Sequence, residues 1–220
     1  MEASWGSGED ARVLPDPTDF CRLWLFRHPE LEAEHAQRAV GAGPADLSRR
    51  GRAQVLRWLE LLKPVASESV WTSPQPQCQG PARAVAEAQQ KEATTEPRLA
   101  DQHMGRWQGR TWSDVMRDED GPVRTFFAEF GEAKAPGGES LGDAVERMLG
   151  WWTETMPKVA GKALVVVLPG SLLSGFAAAM LGMRLSRCLS LNVPHGGFGV
   201  LDVFQNGVRI GTWNPDALRE

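Results

Sequence analysis

The chain has 220 residues, of which 42% are hydrophobic and 24% charged, the balance of an ordinary globule with room for one sizeable core. Its 24 Lys and Arg are scattered among 28 Asp and Glu, and the net charge of −4 leaves no electrostatic basis for binding nucleic acid or an anionic membrane. No stretch reaches the roughly 18 apolar residues of a membrane span, and the acidic start MEASWGSGEDARVLPDPTD lacks the apolar segment of a secretory leader.

Residues 1 to 18 are rich in Gly, Ser, Asp and Pro without periodicity and read as a loosely ordered arm ahead of a single domain over 19–220. CRLWLF, Cys21 to Phe26, is a short apolar run ending in charged residues, the pattern of a buried strand that delivers polar side chains at its C-terminal end. Arg27 and His28 therefore stand where open α/β sheets place ligands. Asp46-Leu47-Ser48 caps a helix over LSRRGRAQVLRWLELLK, whose Ala53, Leu56, Leu59 and Leu62 recur at helical spacing.

Ser69 to Pro74 reads as a second strand, followed by a helix that starts at Pro81, where a missing N–H is tolerated. Leu99 to Gly109 is irregular and polar. SDVMRDED leads into a helical region through Val123 to Phe130, and Pro136-Gly137-Gly138-Glu139-Ser140 turns into the helix LGDAVERMLGWWTETM. Ala163 to Leu168, ALVVVL, is the clearest strand and runs through Pro169-Gly170 into the apolar helix SLLSGFAAAMLGM. GFGVLDVF and VRIGTW pair as a hairpin turning at Asn206-Gly207. Alternating strands and helices predict an α/β fold, a three-layer α/β/α sandwich with a mostly parallel central sheet.

The cysteines, Cys21, Cys78 and Cys188, are odd in number, far apart and in no metal-ligand spacing, which fits a reducing cytoplasm and gives no metal or other cofactor to expect. Nothing in the sequence speaks to oligomeric state.

LWLFRHPE, LSRRG, TSP, GRWQGRTW, PGGES and VVVLPG, in this order over roughly Cys21 to Val203, resemble the motifs of the histidine phosphatase (phosphoglycerate mutase-like) superfamily. The RHP variant, the segment Gly105 to Trp112 and the Ala-Pro-Gly-Gly-Glu-Ser run look most like α-ribazole phosphatases, while LNVPHG, Leu191 to Gly196, is similar to cofactor-dependent phosphoglycerate mutases. The resemblance implies that His28 attacks phosphorus to form a phosphohistidine, with Arg27 offering planar bidentate donors to the phosphate oxygens. It implies a small phosphorylated molecule, or another anion, as the ligand.

Three positions depart from the family pattern. Its second arginine is replaced by Gln77 in TSPQPQC, with Arg83, six residues further along, a less favoured substitute that the predicted helix turns toward solvent. Its acidic glutamate is Asp101 in LADQHMG, one methylene shorter, with His103 a less favoured alternative acid. Its second histidine falls on Pro169 in Leu168-Pro169-Gly170-Ser171, which has no donor at all. His195 stands in a loop that the family fold brings beside the same sheet end, either as a replacement or as a plain surface histidine.

The expected site is therefore Arg27, His28 and Asp101 for chemistry, with Gln77, Pro169, Gly170, Glu139 and His195 around the ligand. Trp107 and Trp112 either shape the mouth or simply pack. The expectation is a phosphoester-binding pocket with weak or absent phosphomonoesterase activity. An active, specialised phosphatase and a non-catalytic binding or interaction scaffold stay open beside it. If the two departures alone lower activity, Gln77→Arg and Pro169→His together restore it.

Overall fold

The computed structural model describes residues 20–215, so the expected N-terminal arm lies outside the described residues. Six strands form one sheet in the order β3-β2-β4-β1-β5-β6, with β1 Cys21–Arg27, β2 Ser67–Thr72, β3 Ala93–Thr95, β4 Ala163–Leu168, β5 Phe198–Phe204 and β6 Gly207–Trp213. The first four of these in space, β3, β2, β4 and β1, run parallel; β5 runs antiparallel to β1, and β6 antiparallel to β5. The mostly parallel α/β sandwich is as the residue pattern predicts.

Helices cover both faces, as a parallel sheet with two apolar faces requires. Along β4, Leu164, Val166 and Leu168 pack with α4 (Leu141–Thr155) and α5 (Gly170–Met180). The alternate residues Val165 and Val167 pack with α1 (Arg49–Leu62) and α2 (Pro76–Ala88), around Trp58, Leu62, Ala82 and Val85. A third cluster joins Val115, Val123 and Phe126 of α3 (Trp112–Ala128) to Ala39, Met104 and Trp107, away from the two main cores.

The ends of the helices are fixed by the capping residues. The Ser48 hydroxyl accepts from Gly51 N at 2.9 Å, and Ser140 with Asp143 closes a reciprocal capping box on α4. The helix predicted from Pro81 instead begins at Pro76, which takes the first helical position; Pro81 lies in the interior and gives up a single ladder bond. Within α3 the backbone breaks at Glu119 (φ −139°, ψ 43°), three residues before Pro122. The hairpin register pairs Phe204 with Gly207, so its two-residue loop is Gln205-Asn206, one residue earlier than predicted. Among the described residues no single helix is long and apolar enough to cross a membrane.

This topology places the site. Arg27 stands beside Leu168 and Thr72 beside Val167 in register, so the segments leaving β1, β4 and β2 emerge side by side at the carboxyl edge of the sheet. Two bonds tie them together just past the strands, His28 N to Leu168 O at 2.9 Å and Ser73 N to Val167 O at 3.1 Å.

Candidate active site

His28 follows β1 directly and is only 7% exposed. Its Nδ1 lies 2.9 Å from the carbonyl of Pro29, which can only accept, so Nδ1 carries the proton. The ring is held neutral, because burial, and then the nearby His195 and Arg27, push its pKa down to about 3. A neutral ring protonated on Nδ1 leaves a lone pair on Nε2, and His28 lines an open cavity of about 840 Å³.

Arg27, whose own pKa is lowered by burial, is steered by the loop before β5. Its Nη1 donates to Val193 O at 2.8 Å and its Nη2 to His195 Nε2 at 3.0 Å. Since arginine cannot accept, His195 must. That loop is itself pinned from α1, with Gln54 Nε2 donating to His195 O at 2.9 Å and the Trp58 indole to Gly196 O at 2.6 Å. Gly196 has φ +72°, and a Cβ there would stand 2.4 Å from the Gln54 side chain, so only glycine fits. The His28 and His195 rings lie 4.9 Å apart.

Gly170 has a different task. A Cβ on it would stand 2.5 Å from Arg27 Nε, so its bare Cα lets the guanidinium lie against the start of α5. Ser171, next in the chain, donates from its hydroxyl to Asp101 Oδ1 at 2.6 Å, and Gln102 N donates to the same oxygen at 2.8 Å. Burial raises the Asp101 pKa against these bonds and the pull of Arg27. The Asp101 segment is held from behind by Arg147, whose guanidinium reaches the carbonyls of Arg98, Ala100 and Asp101 at 2.9 to 3.1 Å.

The cavity brings together Arg27, His28, Gln77, Asp101, Gly170 and His195 of the residues named from sequence. Gln77 faces it, yet both ends of its amide are engaged: Oε1 accepts from Ala45 N and Nε2 donates to Gly43 O, each at 3.1 Å. Pro169 caps α5 and is not part of the wall, which passes to Gly170 and Ser171. Glu139 is also off the wall; it forms a two-pronged pair with Arg147 at 3.0 and 2.9 Å and accepts from His103 N. Arg83 is exposed and bonded to Gln79, and His103 is an exposed loop residue. Trp107 is fully buried, whereas Trp112 lines the cavity with Phe126, Phe127 and Phe130. Ser171 and Arg147 stood inside recognisable motifs, but nothing in their spacing revealed which carboxylate or carbonyl each would meet.

Residues 23–216 match the pattern of the histidine phosphatase superfamily, branch 1. The chain belongs to that superfamily. This member of the superfamily is 27% identical over 180 residues to phosphoserine phosphatase 1 of Hydrogenobacter thermophilus, covering 82% of the chain and 85% of that protein. It is 26% identical over 200 residues to the adenosylcobalamin/alpha-ribazole phosphatase of Escherichia coli, covering 90% and 97%. Among solved structures, the alpha-ribazole phosphatase of Shigella flexneri superposes with a TM-score of 0.80 at 25% identity, over 88% of this chain and 96% of that one.

Proposed function

We propose that the chain is a slow phosphomonoesterase acting on a small phosphorylated molecule, with His28 as nucleophile, Arg27 at the phosphoryl oxygens and aimed there by His195, and Asp101 as general acid and base. The observation that carries this reading is the Nδ1 bond of His28 to the Pro29 carbonyl, which places the proton of the neutral ring on Nδ1 and leaves the Nε2 lone pair available, burial being what keeps the ring neutral. In the first step Nε2 bonds to phosphorus as the ester P–O bond breaks, and Asp101 gives its proton to the departing oxygen. In the second, water attacks the phosphohistidine, its proton passes to Asp101, and phosphate leaves from a restored His28. The raised pKa of Asp101 suits a group that must start protonated.

The phosphoryl group meets one cation directly, Arg27, and the amino end of α5, where Gly170 and Ser171 begin a helix whose first N–H groups have no intrahelical partner. Gln77 offers no charge and its amide is committed to the 43–45 loop. Loss of a single preorganised donor slows such chemistry by about 10² to 10³, which is why turnover is placed well below that of a complete site. Three buried cysteines with no disulfide accord with a cytoplasmic protein.

The test is kcat/KM on p-nitrophenyl phosphate for the wild type and for His28→Ala. Slow turnover that vanishes in the variant supports the reading; turnover indifferent to the substitution rejects it.

A further inference from the structure

Granted the phosphate site proposed above, we infer that the rest of the same cavity receives a flat, uncharged aromatic group, so that the substrate class is the phosphomonoesters of aromatic or similarly apolar alcohols. A cavity of about 840 Å³ is far larger than a phosphate needs, and is of the size that holds a whole organic ligand. Besides His28 and Arg27 its lining includes Trp112, Phe126, Phe127 and Phe130, together with Ala36 and Ala39.

The aromatic residues form one continuous surface. The Trp112 and Phe127 rings lie 5.4 Å apart, and Phe127 meets Phe126 edge-on at 5.5 Å. Phe127 is 52% exposed, an unusual place to leave a phenyl ring unless something covers it. Packing accounts for Phe126, which is buried against Trp107, but not for Phe127.

The charges on this wall argue against an acidic or strongly polar leaving group. Beyond Arg27, the cationic side chain on the lining is Arg38, and its Nε and Nη1 already donate to the carbonyls of Glu34 and Gly109 at 2.7 and 2.9 Å. A carboxylate such as that of phosphoserine would share the lining with the carboxylates of Glu30 and Glu32 and, beyond Arg27, with one guanidinium, Arg38, two of whose three nitrogens already donate to backbone carbonyls. An aromatic ring, by contrast, would stack on Trp112 and Phe127 and remove their surface from water.

Phosphonates test this without turnover, because their C–P bond is not cleaved. The affinities of methylphosphonate and 1-naphthylmethylphosphonate are measured by calorimetry at pH 7 on the wild type, Phe127→Ser and Trp112→Ala. The naphthyl compound is expected to bind about tenfold or more tightly than the methyl one, and this ratio is expected to fall severalfold in either variant. Equal affinities for both compounds overturn the inference while leaving the phosphate site standing, as does a preference that survives both substitutions. Failure of both phosphonates to bind overturns the phosphate site, and the inference with it.

Discussion

Arg27 Nη2 donates to His195 Nε2 at 3.0 Å, and that bond fixes both the guanidinium and the protonation of the imidazole. His195 can accept only while neutral, which agrees with a pKa pushed down to about 4 by burial and by Arg27 itself. Two residues 168 positions apart thus form one phosphate-facing unit. His195→Ala removes the acceptor and leaves a buried N–H of Arg27 unpaired. The expected result is a fall in kcat/KM of about 10² on p-nitrophenyl phosphate, from a guanidinium no longer held in place, with the fold intact by circular dichroism. An unchanged kcat/KM would make His195 a bystander.

The two neutral histidines also make stability depend on pH. Each has a folded pKa well below the ordinary value of 6.5, at about 3 for His28 and about 4 for His195. Between those values and 6.5 the unfolded chain binds protons that the folded chain refuses, so stability falls as pH drops through that window and levels off above it. Urea midpoints measured from pH 7.5 down to pH 4.5 should decline, and His28→Asn with His195→Asn should flatten the decline. A double variant as steep as the wild type would assign the dependence to other groups.

Ser171 acts on Asp101 rather than on the substrate. Its hydroxyl stabilises the ionised carboxylate, so Ser171→Ala should raise the Asp101 pKa further. Activity that needs the protonated acid is lost as pH rises through this pKa, so the alkaline limb of kcat/KM on an alkyl phosphate, whose alkoxide must be protonated to leave, should move to higher pH in the variant. Asp101→Asn should abolish the limb. An alkaline limb that stays in place after Ser171→Ala would mean that Asp101 is not the acid.

Gln77→Arg, which the sequence alone recommends as a repair, should harm the protein. Gln77 is 3% exposed and holds Ala45 N and Gly43 O. Replacing it loses both bonds and confines a guanidinium without a carboxylate, destabilising the fold by about 2–4 kcal/mol. Chemical denaturation gives the figure. Wild-type stability together with faster turnover would show that the new arginine reaches the cavity.

The course of the chain was legible wherever burial dictates pattern. ALVVVL is buried along nearly its whole length and became β4 with the boundaries its composition suggests. Ser48, whose side chain caps a neighbouring backbone group, was equally readable because capping is local. The short edge strand Ala93–Thr95 is not legible, since one half-buried and two exposed residues carry no periodicity and pair only because β2 lies alongside. The start of α2 was missed for the opposite reason: two prolines compete for the first helical position, and local rules do not choose between Pro76 and Pro81.

Within the site, Arg27 and His28 announced themselves because they directly follow an apolar strand. Gln77 showed its lack of charge but not its partners, which lie 32 and 34 residues away in a loop. Glu139 belonged to a motif near the site, yet its partner Arg147 sits two turns along α4 and turns it away from the cavity. Phe126, Phe127 and Phe130 were read only as a helical stretch, because which ring faces a cavity depends on how α3 bends at Glu119 and lies over the sheet end.

The most direct measurement is the covalent intermediate. Wild-type protein mixed with p-nitrophenyl phosphate and quenched in alkali, where phosphohistidine survives, is digested and its peptides are weighed by mass spectrometry. One phosphoryl group on His28, absent from His28→Asn and accumulating in Asp101→Asn if the departure of the activated nitrophenolate needs no acid but hydrolysis needs a base, is the result expected. Turnover of the ester with no label on His28, or with label on another residue, would contradict the account.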